Sequence, residues 1–163
     1  IAKNHGADEI LNYSSGSFKE EVKAMTDGKG ADVIIDSLGG KALKSSYECL
    51  AEFGRLISYG FSRAAPGTKK NILKILPEYL GIPKFNPMHL MSQNKGVFGF
   101  HLGLIRKRED LVKQYGSLLL KWLDEGLISP KVDAVFPLKK AAEAHQYISD
   151  RKNFGKVLLM ADE

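Results

Sequence analysis

Cysteine occurs once in these 163 residues, at Cys49, so the chain can close no disulfide of its own. That usage suits a reducing compartment, and the cytoplasm is the expected location. No apolar run approaches the roughly 18 residues that span a bilayer, so no membrane anchor is expected. Ile1-Ala2-Lys3-Asn4-His5-Gly6 lacks the basic-then-apolar layout of a signal peptide, and a chain that opens without Met reads as processed, truncated or partly covered. Metal-ligand spacings are missing as well: there is no C-x-x-C and no H-E-x-x-H, and His5, His89, His101 and His145 are scattered. No metal site is therefore expected. The chain also has no nucleophile elbow, P-loop or kinase signature.

The net charge is +5, which raises the question of an anionic partner. Its basic runs, Lys69-Lys70, Arg106-Lys107-Arg108, Lys139-Lys140 and Arg151-Lys152, are short, separated and not interleaved with stacking aromatics. They read as solvated surface, and no nucleic-acid partner is expected.

What the chain does have is an alternation of short β-branched runs and amphipathic stretches. Ala7 to Tyr13, with Ile10 and Leu11, is a short candidate strand. Ser17 and Glu20 have capping-box spacing ahead of Phe18, Val22 and Met25, which predicts a helix closed by Gly28. Val33-Ile34-Ile35 between Asp32 and Asp36 suits a strand buried on both faces. Leu43, Tyr47 and Leu50 mark one side of a helix that Gly54 can end, and Arg55 to Tyr59 is the next strand. Residues 61–95, broken by Pro66, Pro77, Pro83 and Pro87, read as an excursion with little regular structure beyond a turn or two of helix near Asn71 to Leu80. Gly96 to Leu102 is a further strand. Leu111, Tyr115, Leu118, Leu119 and Trp122 line one face of a helix from Glu109, which Gly126 can stop. Val132 to Phe136, Ala141 to Ile148 and Lys156 to Met160 then read as strand, helix and strand.

Strands alternating with helices imply parallel βαβ units, an α/β fold. Glycines stand at the carboxyl ends of two strands, in Asp36-Ser37-Leu38-Gly39-Gly40 and Tyr59-Gly60-Phe61, where ligands lie in a doubly wound sheet. This is the pattern of a nucleotide-type site. The phosphate-cradling G-x-G-x-x-G turn that opens such a domain is nevertheless absent.

Four segments in order, Gly6 to Tyr13, Gly30 to Asp36, Gly54 to Gly60 and Gly155 to Leu159, resemble the carboxyl-terminal half of a medium-chain dehydrogenase/reductase. Within that superfamily the chain is similar to the zinc-free quinone oxidoreductase branch, and Gly99-Phe100-His101-Leu102-Gly103 after a proline-rich stretch is closest to the vesicle amine transport protein homologues. The resemblance implies a partial Rossmann-type, doubly wound parallel sheet over residues 1–128 that lacks its first two strands. Residues 129–163 would return to the catalytic domain, leaving two strands without partners and edges open to pairing. It implies NADPH or NADH as cofactor, no metal, and hydride transfer to a quinone, enone or carbonyl substrate by the parent protein, with this chain alone not competent. Implied cofactor contacts are Tyr13, Ser37, Leu38, Gly39, Gly40, Tyr59, Gly60, Phe61, Phe100, His101, Leu102 and Lys156, contributing orientation more than acid-base chemistry.

Each of these residues has a plainer reading. Tyr13 is equally a loop tyrosine, Asp36 to Gly40 a tight turn with Asp36 as its cap, and Lys156 an edge-strand lysine. His101 reads as an ordinary loop histidine sooner than a proton donor, and no residue is singled out as catalytic. Cys49 reads as a small packed residue. The rival to the enzyme is a non-catalytic assembly module that dimerises through the Gly96 to Leu102 edge strand.

Overall fold

The computed structural model describes residues 2–12, 16–62, 72–105 and 108–161. Those up to His101 form one compact unit and those from Leu102 onward a second.

The first unit is built on a parallel sheet, in the order β1 (Ala31–Asp36), β2 (Leu50–Ser58) and β3 (Gly96–Gly99). Ile34 stands opposite Leu56, and Leu56 opposite Val97. This row meets Leu43 and Tyr47 of α2 (Ala42–Glu48), Leu50, Ile82 and Phe85, and Leu90 of α4 (Pro87–Ser92). Leu56 is fully buried at its centre. The alternate row is different: Val33, Ile35 and Phe98 are 51%, 67% and 60% exposed. β1 is thus not buried on both faces, because the packing partners of this unit gather on the Ile34 side.

Local chemistry explains most element ends. α1 (Phe18–Met25) starts after Ser17, but the Ser17 side chain makes no cap hydrogen bond; its hydroxyl donates to Glu21 instead. α2 ends at Cys49, not at Gly54, and Leu50 already belongs to β2. A helical stripe and a strand start can fill the same core position, so periodicity alone does not separate them. Between the pairs Ala31–Leu50 and Val33–Arg55 the ladder slips, and Phe53 adopts the left-handed region at φ +60° while its amide donates to the Asn94 carbonyl at 2.7 Å.

The stretch from Phe61 to Lys95 is more regular than its prolines suggested, holding α3 (Ile72–Leu80) and α4. Pro77 lies inside α3, and Pro87 opens α4, where a missing N–H costs nothing. Asn86 caps α4 by accepting from the Met88 amide at 2.8 Å. β3 stops at Gly99 and does not reach Leu102, since β2 ends at Ser58 and leaves nothing further to pair with. Residues 7–12 form no strand; Ile10 is 51% exposed and adjacent Ile10 and Leu11 supply no alternation.

In the second unit α5 (Glu109–Asp124) has the expected span, and the turn beyond it closes through Gly126, whose amide donates to the Leu123 carbonyl at 3.1 Å. β4 (Val132–Pro137) and β5 (Lys156–Met160) pair in parallel with each other, so these strands are not left without partners. α6 (Ala141–Ser149) supplies the crossover that parallel pairing needs. It packs by Ala144, which is buried, and by Tyr147, whose ring lies 5.8 Å from that of Phe136. The Tyr147 hydroxyl donates to Asp133 at 3.0 Å, which raises its own pKa.

Candidate functional site

The carboxyl ends of β1, β2 and β3 are tied to one another by backbone hydrogen bonds. The Tyr59 amide donates to the Asp36 carbonyl at 3.0 Å, the Ser62 amide to the Ser37 carbonyl at 3.1 Å, and the Phe100 amide to the Ser58 carbonyl at 2.9 Å. The structure therefore brings together Ser37, Leu38, Gly39, Gly40, Tyr59, Gly60, Phe61 and the start of the Phe100–His101 segment. Gly60 makes this possible: a Cβ there would sit 2.8 Å from the Ser37 carbonyl oxygen.

Asp36 organises the turn. Its Oδ1 accepts from the Leu38 and Gly39 amides, both at 2.8 Å, and its Oδ2 accepts from the Ser46 hydroxyl at 2.7 Å. With its carboxylate committed to three donors and 5% exposed, Asp36 is a cap. Gly39 and Gly40 are buried at φ +69° and +60°. The space beside them is taken by this chain: a Cβ on Gly39 would collide with the Phe61 ring, and one on Gly40 would lie 2.5 Å from Glu78 Oε2. Glu78 in turn accepts from the Lys41 amide at 3.2 Å, and the rings of Phe61 and Tyr79 stand 6.4 Å apart.

The remaining candidates are placed elsewhere. His101 is exposed in the segment after β3. Leu102, on a short 3-10 turn (Leu102–Leu104), and Lys156, the first residue of β5, belong to the second unit; the Lys156 amide donates to the Lys131 carbonyl at 2.7 Å. Tyr13 lies outside the described residues.

Beside Leu38 a cavity of about 260 Å³ opens between α1 and α2. Phe18, Leu38 and Ala42 give it apolar walls, and Lys19, Lys41 and Ser45 polar ones. Lys19 and Glu48 form an ion pair at 2.8 Å. That hydrogen bond holds the Glu48 carboxyl below the usual glutamate range and raises Lys19. Glu48 thus contributes stability above its unfolded pKa and loses it as pH falls through the lowered folded value. Glu48→Gln is expected to flatten the acid side of the melting-temperature profile, the two proteins converging once pH has fallen through the lowered folded value; parallel profiles would rule the coupling out. The sequence reading missed this cavity. Its one signal was Lys41 and Ser45, a helical turn apart just after the glycine pair.

Among the described residues no group of three or more His, Cys, Asp or Glu could hold a metal ion. Cys49 is fully buried, which pushes its thiol up. No helix among them is long and apolar enough to cross a membrane.

A family model described as zinc-binding dehydrogenase matches residues 5–159. The chain belongs to that family. It thereby sits in the medium-chain dehydrogenase/reductase superfamily, a family of oxidoreductases that use nicotinamide cofactors. The chain is 30% identical over 160 residues to the synaptic vesicle membrane protein VAT-1 homolog of Rattus norvegicus, covering 98% of this chain and 39% of that protein. It is 32% identical over 160 residues to quinone oxidoreductase-like protein 2 of Rattus norvegicus, covering 98% and 41%. A solved NAD-dependent alcohol dehydrogenase superposes with a TM-score of 0.69 at 28% identity, over 99% of this chain and 40% of that one. The chain thus spans about two fifths of the length of these relatives. Its sheet is accordingly part of a Rossmann-type dehydrogenase domain, as the family resemblance had implied.

Proposed function

We propose that the chain is the cofactor-binding portion of a zinc-independent NAD(P)H oxidoreductase of the quinone reductase type, acting in the parent protein on a quinone, enone or carbonyl compound. The observation that carries this reading is the cavity beside Leu38, continuous along the chain with the laced strand ends. A dinucleotide needs a slot for its base and a row of close-approaching backbone for the rest, and both are provided by one unit.

On this reading the apolar walls at Phe18, Leu38 and Ala42 hold the adenine, with Tyr13 nearby in sequence. Ser37, Leu38, Gly39 and Gly40 follow the ribose, and Tyr59, Gly60, Phe61, Phe100 and His101 orient the nicotinamide end; Leu102 and Lys156 are kept as cofactor contacts of the parent protein. A bound nicotinamide supplies the hydride. This chain contributes orientation and exclusion of water, and no side chain here is assigned as acid or base. Because Phe61 and Glu78 fill the space beside Gly39 and Gly40, the ligand approaches the outer side of that turn. Residues 1–128 are the cofactor lobe, residues 129–163 return to the catalytic domain, and the chain alone does not turn over substrate. The outer edge of β3 offers a site for homodimer pairing.

Calorimetric titration with NADPH and NADH, with light scattering in the same buffer, tests this. Micromolar binding by a dimeric chain is the expected result. A folded chain that binds neither cofactor would overturn the oxidoreductase reading for this polypeptide and favour a non-catalytic assembly module.

A further inference from the structure

We propose that α3 is a strap latched by Glu78, which covers one side of the Gly39–Gly40 turn and opens as a unit while the sheet beneath it stays folded. The motion belongs to the chain itself, whatever ligand the strand ends take.

α3 is seated the wrong way round for a surface helix. Among residues 76–80 only Glu78 is half-buried, whereas Leu76, Tyr79 and Leu80 are 49%, 64% and 74% exposed. A surface helix is ordinarily fixed by an apolar stripe; here a carboxylate faces the protein. Pro77 stands inside the helix and has no N–H for the carbonyl one turn back. A segment with little buried apolar area and an interrupted hydrogen-bond ladder opens at a lower free energy than a packed core. Just beyond α3 the chain is anchored again, since Ile82 and Phe85 pack against the core. The opening unit thus ends at Gly81, whose amide closes the helix on the Pro77 carbonyl at 3.0 Å.

The last residues of α3 seat it on the turn between β1 and α2. Glu78 Oε2 accepts from the Lys41 amide at 3.2 Å and fills the space beside Gly40, where a Cβ would lie 2.5 Å from it. The Tyr79 ring stands 6.4 Å from that of Phe61, and Gly81 rests on the Lys41 stem, a Cβ there falling 2.2 Å from Lys41 Cγ. The parts beneath are held by other bonds. Asp36 closes the turn through Leu38, Gly39 and Ser46, and Leu56 is buried at the centre of the sheet. Releasing the latch leaves these intact, frees the Lys41 amide and clears the side of Gly40 that Glu78 fills.

Native-state hydrogen exchange read by NMR on the whole chain tests this, with Glu78→Ala and Ile34→Val as the variants. The Leu80 and Gly81 amides report the helix, the Lys41 amide the latch, and the Leu56 and Ile57 amides of the central strand the sheet. Leu80, Gly81 and Lys41 are expected to share one protection factor, at least about a hundredfold below that of Leu56 and Ile57. Glu78→Ala should lower the protection of Leu80 and Gly81 about tenfold, the scale of one hydrogen bond to a charged group, and leave the Lys41 amide unprotected. Ile34→Val trims the core opposite Leu56. It should lower the protection of Leu56 and Ile57 about fivefold and leave that of the strap as it was, because the core is intact in the open state as in the closed one. Strap amides as protected as the sheet would overturn the proposal, since α3 would then open only with the whole unit. Strap protection that falls with Ile34→Val would overturn it for the same reason. A Lys41 amide unlike the helix amides, or helix amides unmoved by Glu78→Ala, would reduce the motion to fraying of the α3 end and remove the latch.

Discussion

Asp36→Ala is expected to lower the unfolding free energy by about 3 kcal/mol, since it strips the acceptor from three donors in a closed turn. The Leu38 and Gly39 amides and the Ser46 hydroxyl would each lose a partner where water enters poorly, at a residue 5% exposed. Each orphaned donor costs about 1–3 kcal/mol, and the sum is partly recovered by relaxation. For a chain of this length that corresponds to a melting temperature lower by about 10 °C. Asp36→Asn is the informative companion. Its amide oxygen can still accept from the two backbone groups, and the Ser46 hydroxyl can turn to accept from its NH₂, so a loss of only about 1 kcal/mol is expected. Equal melting temperatures for the Ala variant and the parent would show that the turn is not organised by this carboxylate.

Gly60→Ala is expected to destabilise the chain by about 2 kcal/mol, for a reason of space and not of conformational freedom. The new Cβ would stand 2.8 Å from the Ser37 carbonyl oxygen and 3.2 Å from Ser37 Cα, both backbone atoms that cannot swing away. Two hydrogen bonds bracket the contact, from the Tyr59 amide to Asp36 and from the Ser62 amide to Ser37. Separating the loops weakens both. On the proposed reading the same shift moves Leu38 relative to Tyr59, so NADPH affinity should fall at least about tenfold, measured at a temperature where circular dichroism shows a folded variant. Unchanged stability together with unchanged affinity would mean that the close approach of these two loops matters to neither.

Much of the fold was legible because it is local. Val33-Ile34-Ile35 made a strand, the stripe from Leu111 to Trp122 made a helix, and both stand where the pattern put them. The misplaced boundaries have a common cause. Leu50 fits a helical stripe as well as a strand start, and Pro87 looks like a breaker until it stands at the first position of a helix. Ile10 and Leu11 suggest a strand, but pairing depends on residues elsewhere in the chain. At the candidate site, the glycines at strand ends marked, by their spacing, the loops that the backbone hydrogen bonds bring together. The partners that occupy the space beside Gly39 and Gly40 were invisible, since Phe61 and Glu78 lie more than 20 residues away in sequence.

Alternation of apolar period thus determined, from the residues alone, the parallel α/β class, and four segments in order carried the family resemblance. Only the tertiary structure decided that Asp36 is a cap, that Lys19 pairs with Glu48, and that β4 and β5 complete each other. Those outcomes depend on which distant groups come within about 3 Å, a distance no local pattern encodes, whereas backbone period and turn chemistry are properties of neighbours in the chain.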